Sequence, residues 1–115
     1  MLPKKNRAGR KTVKKIFKDG VFVGSSNLNL KYVLENNTTP PQISFIISKT
    51  VEKKAVRRNY LRRRGYIILK NYLNRIPNGF FGLFIFNKIK PIHSAFNIED
   101  EIKTIFNKLK FIKKD

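Results

Sequence analysis

Lys53-Lys54-Ala55-Val56-Arg57-Arg58-Asn59-Tyr60-Leu61-Arg62-Arg63-Arg64 decides how the middle of the chain folds and what it touches. Seven of these twelve residues are basic, and no acid lies between Lys53 and Arg64. On a helix turning about 100° per residue, Arg58, Asn59, Arg62 and Arg63 share an arc of roughly 140°. Val56, Tyr60 and Ile67 fall on the opposite side, where they are expected to pack against a sheet. A planar guanidinium can hold a phosphate with two hydrogen bonds, and Asn59 adds a donor and an acceptor for a sugar or base edge. A helix face kept soluble by charge alone usually mixes signs. This one does not, which favours contact with RNA or DNA.

Outward from this stretch, a long helix is expected from Lys53 to Leu73. Gly65 inside it costs about 1 kcal/mol relative to Ala and marks a candidate break. Upstream, Ile43 to Ser48 reads as a buried strand, and Asn36 to Pro41 has the chemistry of a loop. Leu28 to Leu34 alternates, with Leu28, Leu30 and Tyr32 on one face and Asn29 and Lys31 on the other, as a half-buried strand does. Val21 to Val23 is a short candidate strand. Val13, Ile16 and Phe17 recur at helical spacing within Lys11 to Lys18, and Gly20 follows where a left-handed cap would sit. Downstream, Pro77-Asn78-Gly79 is a turn and Phe80 to Phe86 a buried strand. Ile98, Ile102, Ile105, Phe106 and Leu109 stripe a last helix, with Asn97 as N-cap and acids in its first turn. The expected fold is α+β, three helices on a small mixed sheet in the order α-β-β-β-α-β-α. No linker or repeat divides residues 1–115, so a single domain is expected.

Composition agrees with the central stretch. Lys and Arg total 26 against seven acids, a formal net charge of +19, while ten Phe and four Tyr supply a core. A domain so charged repels itself unless a polyanion neutralises it, and nucleic acid is the natural one. No cysteine is present, which excludes disulfides and thiolate metal sites and suits a reducing cytoplasm. No apolar run is long enough to cross a bilayer, and no membrane partner or small-molecule substrate is expected. His93 stands in a loop without a motif around it, and Glu99, Asp100 and Glu101 are explained by the helix dipole. With no phosphate loop, nucleophile constellation or metal cluster, the polypeptide offers neither a catalytic residue nor a metal ligand.

Ala55-Val56-Arg57-Arg58-Asn59-Tyr60-Leu61-Arg62-Arg63 resembles the signature helix of the bacterial ribonuclease P protein, whose pattern is Ala-Val-x-Arg-Asn-Arg-x-basic-Arg. Ser44 to Lys49 resembles the strand entering that motif. Lys5-Asn6-Arg7 and Val13 to Gly20 (Val-x-x-Ile-Phe-x-x-Gly) resemble the family's opening helix, and the element order agrees from end to end. The departures are definite. Tyr60 replaces the second arginine of the Arg-Asn-Arg core, Tyr66 takes a basic position, and Glu52-Lys53 stand where a glycine is usual in a loop one residue longer. The stretch from Arg7 to Val13 is one residue shorter than usual.

The resemblance implies a division of labour. The RNA subunit hydrolyses the phosphodiester with bound magnesium, and the protein binds both that RNA and precursor tRNA. Contact with the catalytic RNA would fall to Lys49, Lys53, Lys54, Arg57, Arg58, Asn59, Arg62 and Arg63. A cleft between the first helix and the sheet would receive the single-stranded 5′ leader through Asn6, Arg7, Val13, Lys14, Phe17 and Lys31. The family fold also includes a left-handed βαβ crossover, against the usual preference. Read from the residues alone, Val13 and Phe17 fit ordinary helix-to-sheet core, and only the resemblance moves Phe17 towards a stacking role. A ribosomal or general structural RNA-binding protein of similar architecture is the other reading that composition allows. A protein-only nuclease would need a carboxylate cluster for its metal, which the seven acids do not obviously supply.

Overall fold

The computed structural model describes residues 4–25, 27–86, 97–110 and 112. A short 3-10 turn (Lys4–Asn6) leads into α1 (Arg10–Asp19), then β1 (Val21–Gly24), β2 (Leu28–Leu34), β3 (Gln42–Ile46), α2 (Ala55–Lys70), a second 3-10 turn (Leu73–Arg75), β4 (Phe80–Phe86) and α3 (Ile98–Lys108). The strands form one sheet in the order β1-β2-β4-β3. Among the described strands only β3 and β4 are parallel neighbours, and the segment joining them carries α2, since parallel neighbours need a crossover connection.

Both faces of the sheet are covered, and β4 shows why its sequence is apolar without interruption. Phe80, Phe84 and Phe86 point into a core shared with α2 and α3, while Phe81 and Leu83 point into a smaller one under Ile16 of α1. A strand buried on both sides has no polar face to alternate with. β2 is likewise two-sided at one end, with Leu28 and Leu30 in the larger core and Val33 in the smaller.

The long helix ends at Lys70, short of Leu73, and Gly65 does not break it. Gly65 is a point of close approach. A methyl group there would lie 2.7 Å from the ring of Phe45, so glycine lets the helix backbone rest directly on β3. Phe45 is held in turn by Phe84, stacked at 4.9 Å, and by the edge of Tyr66 at 5.0 Å. The Tyr66 hydroxyl accepts a hydrogen bond from the Phe45 N–H at 3.2 Å. Among the described residues β3 pairs with β4 alone, so this hydroxyl satisfies a backbone donor on the side of β3 away from β4.

Two expectations are corrected. Val56, Tyr60 and Ile67 do not pack on the sheet; they are 70, 58 and 55% exposed. The buried side is Leu61, Gly65, Tyr66, Ile68 and Leu69, because the approach at Gly65 fixes the helix rotation and turns the other apolar residues outward. Gly20 is not left-handed either. Its backbone is extended (φ −72°, ψ 153°), and its N–H closes the helix on the Ile16 carbonyl. The single left-handed glycine among the described residues is Gly79 (φ 85°), whose N–H and C=O join the Thr39 and Glu35 backbones.

α3 begins where expected, with the Asn97 side chain accepting from the Asp100 N–H. Glu101 adds a tie that the helix dipole alone does not explain: it accepts from Ser25 Oγ and the Asn27 N–H, both at 2.6 Å, and so fastens α3 to the β1–β2 turn.

Candidate nucleic-acid interface

The basic face of α2 is displayed by a structured loop. The Ser48 carbonyl accepts the N–H groups of both Val51 and Glu52, and Ser48 Oγ lies 2.7 Å from Thr50 Oγ1. Glu52 then accepts the Lys54 N–H at the helix start through its side chain and lies 4.0 Å from the Arg57 guanidinium. Lys49, Lys53 and Lys54, all exposed, are thereby carried on a fixed turn rather than a loose strand.

Arg58 has a structural task as well as a charge. One guanidinium nitrogen donates to the Glu52 carbonyl at 2.9 Å and to the Lys53 carbonyl at 2.8 Å, pinning the loop to the helix. Arg62 donates to Asn59 Oδ1 at 3.0 Å, which orients the amide. Arg58 and Arg62 are half-buried, whereas Arg57, Asn59, Arg63 and Arg64 are exposed. Among the described residues no carboxylate pairs with Arg58, Arg62, Arg63 or Arg64. Guanidinium groups without a carboxylate partner attract phosphates. A hollow of about 450 Å³ opens beside it, lined by Val56, Asn59, Arg62, Arg63 and Tyr66.

A second surface lies on the other face of the sheet. Phe17 of α1 is 51% exposed and Phe22 of β1 is 62% exposed. Lys31, which pairs with Phe22 across the β1–β2 register, sits between the two rings with its Nζ 5.4 Å from one centroid and 4.9 Å from the other. The ammonium also donates to the Phe17 carbonyl at 2.9 Å. Two open aromatic faces joined by a cation form a surface on which unpaired bases can stack. Phe22 is not among the residues that the sequence singles out. Its signal is an aromatic residue on a short strand too far from the core to need one.

The remaining expected leader contacts are placed less uniformly. Lys14 and Arg7 are exposed, and Val13 is half-buried against the smaller core. Asn6 is buried, and its amide donates to the Pro41 carbonyl at 2.8 Å. That bond, with Ala8 N–H to Ser44 Oγ and Thr12 Oγ1 to Gln42 Oε1, ties the start of the chain to β3. His93 lies outside the described residues. Among those described, no three His, Cys, Asp or Glu side chains converge, and no helix is long and apolar enough to cross a membrane.

The family model for ribonuclease P matches residues 2–110. The chain belongs to the ribonuclease P protein family. It is 28% identical over 113 residues to the ribonuclease P protein component of Pseudanabaena sp. (strain PCC 6903), covering 97% of each chain. The fold is that of the ribonuclease P protein from Staphylococcus aureus (TM-score 0.77, 19% identity, 100% of this chain and 98% of that one). It is equally that of the Thermotoga maritima protein (TM-score 0.73, 22% identity, 94 and 98% covered). As a ribonuclease P protein the chain is a subunit of a ribonucleoprotein endoribonuclease that processes tRNA 5′ ends, and its partner is RNA.

Proposed function

We propose that this ribonuclease P subunit uses its two faces for two RNAs, as a single RNA-binding domain acting in the cytoplasm. The α2 face, with Lys49, Lys53, Lys54, Arg57, Arg58, Asn59, Arg62 and Arg63, docks on the catalytic RNA. The α1 side of the sheet, with Arg7, Lys14, Phe17 and Lys31, receives the single-stranded leader of precursor tRNA. Asn6 and Val13 support that surface from beneath. The observation that carries the proposal is that, among the described residues, no carboxylate pairs with Arg58, Arg62 or Arg63, while Arg58 fastens the lysine-bearing loop to the helix.

Magnesium, on this reading, is held by RNA phosphates. The acids that bear on the surfaces are engaged within the protein: Glu35 pairs with Lys15, Glu52 orders the α2 loop, and Glu101 fastens α3. Their spacing through the fold gives a divalent ion no common cage.

The test is a titration of the complex of protein and cognate catalytic RNA with precursor tRNA bearing either a long or a trimmed leader. The protein is expected to raise cleavage at low magnesium and to favour the long leader. Phe17→Ala should weaken long-leader binding by roughly five- to hundredfold, the worth of one stacked base, and leave the trimmed precursor unaffected. A protein without effect on the catalytic RNA would refute the assignment of partners, and an equal loss for both precursors would remove Phe17 from the leader surface.

A further inference from the structure

Three apolar side chains stand along the outer line of α2. Val56, Tyr60 and Ile67 are each more than half exposed, and at about 1.5 Å rise per residue they span roughly 16 Å of helix. Single exposed apolar residues need no explanation, but three in one row on a helix that carries five arginines do. By helical rotation the row has Asn59 and Arg63 on one flank and Arg57 and Arg64 on the other. Among the described residues, the acid paired with any of these is Glu52, 4.0 Å from Arg57. Cationic flanks disfavour a second copy of this chain, whose formal charge of +19 would oppose a face-to-face contact. They suit a polyanion that presents something flat and apolar between its phosphates, which is an unpaired nucleotide.

We infer that the Tyr60 ring is a stacking platform for an unpaired base of the catalytic RNA, with Val56 and Ile67 bounding the base and the flanking arginines holding its phosphates. This rests on the docking of α2 proposed above and adds to it the kind of nucleotide the helix takes. Tyr60 stands where the family pattern has arginine, so this chain exchanges one phosphate contact for one stacked base. The exchange has a measurable consequence. A phosphate contact contributes about 0.7–0.9 to the slope of log affinity against log salt, whereas stacking contributes little.

Binding of the cognate catalytic RNA by the parent chain and by Tyr60 variants, over a range of salt concentrations, tests the inference. Tyr60→Ala should lose roughly five- to hundredfold in affinity with its salt slope unchanged. Tyr60→Phe should bind as the parent does. Tyr60→Arg should steepen the slope by about 0.7–0.9. The chain contains no tryptophan, so Tyr60→Trp places a single indole at the site, and its fluorescence should be quenched when RNA saturates the protein. Tyr60→Ala binding like the parent, together with an indole that RNA does not quench, would overturn the stacking while leaving the docking of α2 intact. Failure of the parent chain to bind the RNA would refute the docking itself. Quenching on raising the protein concentration without RNA would assign the row to self-association instead.

Discussion

Phe84→Ala should destabilise the protein by about 3–5 kcal/mol, the cost usual for a large aromatic side chain removed from a closed core. Phe84 is fully buried and is the ring through which three elements meet. It stacks on Phe45 of β3 at 4.9 Å and meets the edge of Phe106 of α3 at 5.8 Å. Phe45 carries the contact onward to Gly65 and Tyr66 of α2. The vacated space cannot close easily, because Gly65 already brings the helix backbone onto Phe45 and offers no side chain to move inward. Small domains have only about 5–15 kcal/mol in hand, so the variant should show a sharply lowered denaturation midpoint. RNA affinity measured well below that midpoint should change far less. A destabilisation under about 1 kcal/mol by chemical denaturation, below the usual range for such a truncation, would mean that the two helices are not joined through this ring.

Arg62→Ala combined with Arg63→Ala should lower affinity for the catalytic RNA by roughly a hundredfold or more. A hydrogen bond to a charged group is worth about 1.5–3 kcal/mol, and each factor of ten in affinity corresponds to about 1.4 kcal/mol. The salt slope should flatten by about 0.7–0.9 for each phosphate that the variant no longer neutralises. Neither residue is fully buried, so stability should hold, and Lys at both positions should restore the slope better than the affinity, since ammonium cannot form the two-pronged bond. Arg58 behaves differently. It spends one nitrogen on the Glu52 and Lys53 carbonyls, so Arg58→Ala should loosen the loop that carries Lys49, Lys53 and Lys54 as well as remove a charge. Unchanged affinity and slope in the Arg62 and Arg63 double variant would move the RNA contact elsewhere.

Much of the fold behind these expectations is legible in the sequence. The strands from Leu28 and Phe80, the outer helices and the Asn97 cap follow from spacing and residue chemistry, because each has a clear apolar pattern or a side chain suited to one task. The rotation of α2 does not follow. Its inward stripe includes Gly65, which is silent in any hydrophobic pattern, while Val56, Tyr60 and Ile67 look like core and are not. Only the approach to Phe45 decides the matter, and it joins residues twenty positions apart. Tyr66, which the sequence presents as a missing positive charge, satisfies the open edge of β3. Asn6, expected to touch the leader, is buried and donates its amide to the Pro41 carbonyl, a bond that its polar chemistry alone does not foretell. The platform of Phe17, Lys31 and Phe22 comes into view only with the β1–β2 register, which brings its members together.

The central claim is that α2 and its loop face the catalytic RNA, and one placement experiment tests it directly. The chain has no cysteine, so Ala55→Cys, at the exposed start of α2, offers a single attachment point for a photo-crosslinker, and Asn107→Cys on exposed α3 serves as the comparison. Irradiation of each labelled protein bound to the catalytic RNA should give efficient crosslinks to that RNA from position 55 and few from position 107. The reverse ratio would contradict the account.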